Sequence, residues 1–321
     1  MKFTETMLKQ YAEPLSSTEE QKCRNAINMV RDALKNYDFT DDNKEIKKLY
    51  ENTLAFSLEM RSNSTGRKIK IFVQGSYANG TNVKANSDVD IAIILESNFK
   101  TKYRVGIDGN VYGFGSSNYG FKDFKNDVQQ SLEKEFGADA KRKNKSIKIN
   151  GNTYRTDTDA VPALRYRDYS NEFYGKENDY IGAIYILTDD GTEIINYPEQ
   201  HIINGKKKNN ETNYYYKKMV RIAKKIRYLM QDSTVSSANK VSSFGIESLL
   251  WNIPSHIYIK YNSYGFIFDE IINYLIKCES LWPQYKEAND IKSLFSSERD
   301  MKDYISFLND LKNFYNYDYN G

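Results

Sequence analysis

Apolar positions change period along this chain, and the changes outline its elements. Cys23, Ala26, Ile27, Val30, Ala33 and Leu34 recur at helical spacing behind Ser17 and Glu20, a pair in capping-box form, so the pattern predicts a helix over 18–36. A second helical pattern, carried by Ile46, Leu49, Tyr50, Thr53, Leu54 and Phe56, predicts a helix over 42–62, closed by the turn-rich "SNSTGR". The period then shortens. "KIKIFVQGS" alternates like a strand, and "DVDIAIILE" is an apolar run with a polar entry that suits a strand buried on both faces.

"YANGTNVKANS", between those strands, reads as a loop, and 100–120, with "YGFGSSNYG", as hairpin or loop. Phe121 to Phe136 is helical in pattern. "KRKNKSIKINGNTYRTDTDAVPA" reads as two strands around the turn Asn150-Gly151, and "YIGAIYIL" with "EIINYP" as a hairpin around "TDDGT". After Lys206 the spacing is helical over 213–231, 243–260, 266–278, 287–296 and 299–315. Helices, a mixed sheet, then helices imply an α+β protein of two lobes, with the polar "NGKKKNNET" as the boundary between 1–204 and 205–321.

Composition changes this picture little. The chain is 321 residues long with 40% hydrophobic and 28% charged residues, a globular balance, and a formal charge of +3 supplies no global field for nucleic acid. Cys23 and Cys278 lie far apart without zinc-type spacing and read as reduced thiols of a cytoplasmic protein. No stretch has the length or apolarity of a membrane span or signal segment, so neither membrane nor zinc is expected. The 27 tyrosines accompany abundant Lys, Asn and Ile and are no evidence for base stacking by themselves.

The chemistry sits in "QGSYANGTNVKANSDVDIAIIL". On a strand Asp88 and Asp90 point to one face, about 7 Å apart. Two carboxylates there repel and lose hydration near a core, and a divalent cation removes both penalties. A bare Asp-x-Asp is more simply a solvated strand end. Here Gly75 and Ser76 lie just upstream, where backbone N–H groups and a hydroxyl can hold a triphosphate, and "TDTDAVPA" supplies Asp159 as a third carboxylate, with Asp157 as its competitor.

Gly-Ser, a loop, Asp-x-Asp and a later carboxylate resemble the DNA polymerase β-like nucleotidyltransferase superfamily. "PLSSTEEQKCRNAINMVRDAL", "GSYANGT", "DAVPA", "YYYKKMVRIAKKIR" and "SSFGIESLLWNIP" narrow the resemblance to the bacterial CD-NTases, relatives of metazoan cyclic GMP-AMP synthase and oligoadenylate synthase in CBASS anti-phage defence. It runs from about Pro14 to Pro254; Asp159-Ala160-Val161-Pro162 stands where the family often has Asp-Val-Val-Pro. The resemblance implies a polymerase β-like mixed sheet packed against a helical C-terminal lobe that completes a nucleotide cleft, with an N-terminal helix spanning both. It implies two Mg2+ ions, or Mn2+, on Asp88, Asp90 and Asp159, and nucleoside triphosphates, ATP among them, as substrates. The product is then a cyclic di- or trinucleotide or short oligonucleotide, with an activator or regulatory protein and a downstream effector as partners.

Beyond the triad, Gln74, Gly75 and Ser76 are candidates for nucleotide phosphates. Lys217, Arg221 and Lys224 form a stripe at i, i+4, i+7, with Lys218 beside it; alone it reads as a solvated face, and the resemblance makes it a donor-phosphate site. Ser242 or Ser243 caps the next helix, and the resemblance assigns Ser243 to phosphate and Phe244 to base stacking, where core packing is the plainer role for Phe244. "KRKNK" and Lys206 to Lys208 read as solvated loops, and His201 and His256 as structural. Two other functions remain open: transfer of a single nucleotide to a protein, RNA end or small molecule, and a catalytically inactive nucleotide sensor.

Overall fold

The computed structural model describes residues 2–42, 47–48, 56–83 and 88–319. In chain order the elements are β1 (Lys2–Phe3), α1 (Glu5–Tyr11), α2 (Ser17–Lys35), β2 (Phe39–Asp41), β3 (Lys47–Lys48), β4 (Phe56–Ser62), β5 (Lys68–Gln74), α3 (Gly75–Asn79) and β6 (Val89–Tyr103). They continue with α4 (Phe121–Phe136), β7 (Ala140–Arg142), β8 (Ile147–Ile149), β9 (Thr158–Tyr169), β10 (Ile181–Leu187), β11 (Glu193–Asn196) and α5 (Pro198–Glu211). The last are α6 (Tyr215–Asp232), α7 (Ser243–Trp251), α8 (Ser255–Tyr258), α9 (Tyr264–Lys277), α10 (Glu298–Phe314) and β12 (Asn316–Tyr317).

Two compact units divide the chain. The sheet unit holds 16–78 and 87–199; the helical unit holds 1–15, 79–86 and 200–321. The helical unit is therefore discontinuous, where the sequence suggests one cut after residue 204. "NGKKKNNET" is not a linker: it lies mostly in α5, which starts on Pro198, a residue whose fixed φ and missing N–H suit a first helical turn.

In the sheet unit the strand order is β11-β10-β9-β6-β5-β4-β2, with β3 on β4 and the β7–β8 hairpin on β9. β6 and β9 run parallel at the centre; the other neighbours are antiparallel. Ile91 to Leu95 are all buried, as a strand covered on both faces requires. α2 and α4 pack on one another, α2 also on β2 and β6, and α4 on β7, β8 and β9. The cap of α2 is Ser16, one residue before the pair read from sequence: Glu19 N donates to Ser16 Oγ, and Ser16 N donates to the Glu19 carboxylate.

The helix expected over 42–62 does not form at its two described stretches, which are β3 and β4. In β4, Leu58 and Met60 alternate inward against β5, so the period is two. Ile46, Leu49, Tyr50, Thr53 and Leu54 lie outside the described residues. The loop expected after Gln74 begins instead with α3. The two strands around Asn150-Gly151 are β8 and β9, but the connection runs from 150 to 157 and β7 adds a third strand.

The helical unit is built on a core of Tyr216, Met219, Val220, Ile226, Ile267, Phe268, Trp282 and Phe307, to which Phe3 and Leu8 from the N-terminus also belong. Residues 287–296 form a turn rather than the expected helix. Asn289 Oδ1 accepts from the N–H groups of Ile291 and Lys292, Asp290 adopts a φ of 61°, and Lys286 bridges to Ser293. Among the described residues no helix is long and apolar enough to cross a membrane.

Candidate functional site

The parallel register of β6 and β9 sets Asp90 directly beside Asp159, and the antiparallel neighbours extend that row: Gln74 of β5 pairs with Asp90, and Lys148 of β8 pairs with Asp159. Residues paired across strands share a face, so Gln74, Asp90, Asp159 and Lys148 stand side by side at intervals of about 4.8 Å. Asp88 immediately precedes β6 and is ion-paired with Lys148. Asp159 accepts from the Ser146 hydroxyl at 3.0 Å.

Asp157 is not the third member of this row. It precedes β9, accepts from the Gly151 N–H, and lies 3.9 Å from Lys148. Its carboxylate closes the 150–157 connection.

Gly75 shows why the row is preceded by glycine. The chain leaves β5 there with a φ of +69°, and a Cβ would collide with the Asp90 carboxylate. Any other residue would strain the turn and displace the carboxylate. Ser76 follows on α3, half-buried.

Burial and the neighbouring Asp159 push the Asp90 carboxyl up to about 7, with Asp88 adding to the effect and Lys145 and Lys148 opposing it. The charged form of Asp90 is thus disfavoured where it stands. Among the described residues no three Asp, Glu, His or Cys side chains converge as ready-made ligands, and Lys148 holds Asp88. The donors are nonetheless carboxylate oxygens of the kind a hard divalent cation takes, and they fit one once Lys148 yields Asp88.

In the helical unit, the basic stripe of α6 is not solvated. Arg221 is buried and donates from Nε to the Ala12 carbonyl at 2.7 Å and from its terminal nitrogens to the Ala12 and Gly80 carbonyls; burial pushes it down to about 10. Lys224, 3% exposed, donates to Glu247 at 2.6 Å and to Thr81. Lys217 differs. Its ammonium has no hydrogen-bond acceptor among the described residues, and burial pushes it down to about 8. Lys218 lies over the rings of Tyr215 and Tyr264, 5.0 and 5.5 Å from their centroids. The first N–H groups of α6 are satisfied from α5: Tyr216 N donates to Thr212 Oγ1 and Lys217 N to Asn209 Oδ1.

Glu247, on α7, was missed by sequence reasoning. It is 2% exposed and accepts from Lys224, from Thr81 Oγ1 at 2.6 Å, and pairs with His201 Nε2 at 2.9 Å. Burial acts to raise its pKa, but Lys224 and His201 overcome it and hold the carboxyl far below the usual range. A glutamate inside the apolar run "GIESLLW" was the available signal. His201 is thereby placed in the core, while His256 is exposed.

Ser242 caps α7, accepting from Gly245 N at 2.9 Å. Ser243 Oγ lies 3.3 Å from the Tyr228 hydroxyl and 3.5 Å from Arg227. Phe244 is not core: it is 42% exposed, with its ring edge-on to His201 at 5.4 Å. Lys206 to Lys208 are helical, and Lys208 donates to the Ile253 carbonyl.

Comparison with known proteins agrees with this geometry. Residues 55–146 match the nucleotidyltransferase domain and residues 203–316 the cGAS/DncV-like nucleotidyltransferase C-terminal helical domain. The chain is 46% identical over 318 residues to cyclic GMP-AMP synthase CdnE03 of Staphylococcus schleiferi, covering 99% of this chain and 98% of that protein. Among solved structures it is similar to the CdnE cyclic dinucleotide synthase of Elizabethkingia meningoseptica with GTP and Apcpp, at 31% identity and a TM-score of 0.72, covering 97% of this chain and 98% of that one. It is also similar to the CdnE c-UMP-AMP synthase of Rhodothermus marinus with Apcpp and Upnpp, at 25% identity and a TM-score of 0.75 over 96% of both chains. Nucleotidyltransferases of this kind imply a divalent metal and nucleoside triphosphate substrates. With carboxylates registered on a mixed sheet, a glycine set against one of them, and relatives matched from end to end, the chain belongs to the cGAS/DncV-like nucleotidyltransferases, the CD-NTases, a family of cyclic-nucleotide synthases.

Proposed function

We propose that this enzyme joins nucleoside triphosphates, ATP among them, into a cyclic di- or trinucleotide or a short oligonucleotide, a second messenger of anti-phage signalling read by a downstream effector. The observation that carries the reading is the row of Gln74, Asp90 and Asp159 in register beside Gly75. A pure nucleotide sensor gains nothing from clustered carboxylates whose charge opposes a phosphate.

Asp88 and Asp90 would hold two magnesium ions and Asp159 the one at the acceptor hydroxyl; bound there, the ions would supply Lewis-acid activation of that attacking hydroxyl and neutralise a departing pyrophosphate. Gln74, Gly75 and Ser76 orient the donor β and γ phosphates. A ribose hydroxyl oxygen of one nucleotide bonds to the α phosphorus of another, the α–β bond breaks, and pyrophosphate leaves. A second round closes the ring or extends the chain.

In the helical unit, Lys217 and Lys218 are the basic residues proposed to meet phosphate, since Arg221 and Lys224 already serve the Gly80–Thr81 backbone and Glu247. Ser243 adds a hydroxyl and Phe244 an exposed ring for stacking. Incubation with labelled ATP, GTP, CTP and UTP, singly and mixed, with Mg2+ or Mn2+, tests the reading. Ring or oligomer formation with pyrophosphate release is expected. Transfer only to an added protein, RNA or small molecule supports the single-transfer alternative, and binding without product supports the sensor.

A further inference from the structure

The β7–β8 hairpin carries charge that the reading above does not use. Its lysines Lys141, Lys143, Lys145 and Lys148 line, with Ser146 and Thr192, a cavity of about 840 Å³ that has Asp159 in its wall. Arg142 on the same hairpin is neutralised, donating to Asp189 at 2.8 Å from Nε. The lysines are treated differently. Lys141, Lys143 and Lys145 are exposed, and no described residue accepts a hydrogen bond from their ammonium groups. Lys148 is paired with Asp88, and the other three like charges around one opening repel each other, a cost that a polyanion removes.

From this arrangement we infer that the cavity is the seat of the acceptor nucleotide's triphosphate. The inference rests on the proposed nucleotidyl transfer and assigns the acceptor side of it. Asp159 is the carboxylate assigned to the attacking hydroxyl, and the cavity opens beside it, on the side of β9 away from Gly75 and Ser76 on β5–α3. The two triphosphates thus have separate holders on the sheet unit: Gly75 and Ser76 for the donor, the hairpin lysines for the acceptor. Lys148 belongs to both states. It neutralises Asp88 when no cation is bound and faces the cavity from the same strand position. Each lysine–phosphate contact is a charge-assisted hydrogen bond, and loss of three is felt by the acceptor alone.

The roles of the two nucleotides can be fixed chemically. A 2′,3′-dideoxy triphosphate has no attacking hydroxyl and only donates; an α,β-methylene triphosphate cannot lose pyrophosphate and only accepts. Their linear dinucleotide product is followed by chromatography, with each varied in turn. In Lys141→Ala/Lys143→Ala/Lys145→Ala the KM for the acceptor should rise about tenfold and that for the donor less than twofold, and the same three positions changed to Arg should restore the acceptor value. The unphosphorylated acceptor nucleoside should lose to the triphosphate as acceptor in the native enzyme, and by a much smaller ratio in the triple Ala variant. Equal movement of both KM values, or of neither, overturns the assignment. So does an unchanged acceptor KM with lost affinity for a labelled nucleic-acid duplex, which makes the hairpin a nucleic-acid face. Failure of the native enzyme to form dinucleotide from any such pair overturns the transferase reading itself, and the assignment with it.

Discussion

Asp90 and Glu247 are both withdrawn carboxylates, and their surroundings are opposite. Glu247, in the helical unit, has a donor on every side: Lys224, Thr81 and His201. Its charge is fully paid for and its pKa is held far down. Asp90, in the sheet unit, is pushed up to about 7 by burial and by the neighbouring Asp159. The contrast is between a carboxylate that the protein satisfies and one whose charge it leaves opposed.

The sharpest way to break it is to neutralise the deficit. Asp88→Asn with Asp90→Asn should cut product formation at least a thousandfold, about 4 kcal/mol or more of transition-state stabilisation. The same double variant should melt at an equal or higher temperature without metal, since repulsion is relieved. Asp159→Asn should match it in activity, while Asp157→Asn, which loses only a loop contact, should keep most of its turnover. Near-normal synthesis by the double variant removes the carboxylates from the mechanism.

The converse substitution should show in stability. Glu247→Ala leaves the Lys224 ammonium buried without its partner, at a cost of about 3 kcal/mol or more, read as a lower denaturant midpoint and melting temperature. A melt unchanged within a degree would mean that Glu247 is no more satisfied than Asp90, and the contrast fails.

Phe244 and Lys217 sharpen the comparison within the helical unit, by asking which residues there are not spent on the fold. Phe244→Ala should leave the metal-free melt close to the native one, because the ring is 42% exposed, and should raise the nucleotide requirement by roughly 1 to 3 kcal/mol of lost stacking, about five- to 150-fold. A collapsed melt returns Phe244 to the core.

The smallest effect concerns protons. With Lys217 lowered to about 8 by burial, its charged form is disfavoured in the folded chain, so its penalty to stability fades as pH rises through 8 towards the unfolded value near 10.5. A phosphate restores the charge. Triphosphate binding at pH 8 should therefore take up roughly half a proton, measured by calorimetry in buffers of differing ionisation enthalpy, and Lys217→Met should abolish that uptake.

Much of this was readable along the chain. The strand bearing Asp90, α4 to the residue, the hairpin around "TDDGT" and the long helices after Tyr215 all follow from period, because in each the buried face repeats over many residues, although Asp88 lies just before its strand. Short elements were not legible: Leu58 and Met60 fit a helix or a strand until β5 supplies the partner, and Asn289 diverts its segment into a turn by hydrogen bonds to its own backbone.

What the sequence determined by itself is the set of candidates for the chemistry, Gly75-Ser76, Asp88, Asp90 and Asp159 with Asp157 as its competitor, because metal and phosphate demand residue types that few other roles would gather. What only the tertiary structure decided is which side chains are free to do it. Register sets Asp159, not Asp157, beside Asp90, and burial turned Arg221 and Lys224 from a solvated stripe into internal donors while leaving Lys217 without a hydrogen-bond acceptor among the described residues. Residue identity sets what a group can bind. Whether it is already bound depends on partners far away in sequence, and only folding brings those together.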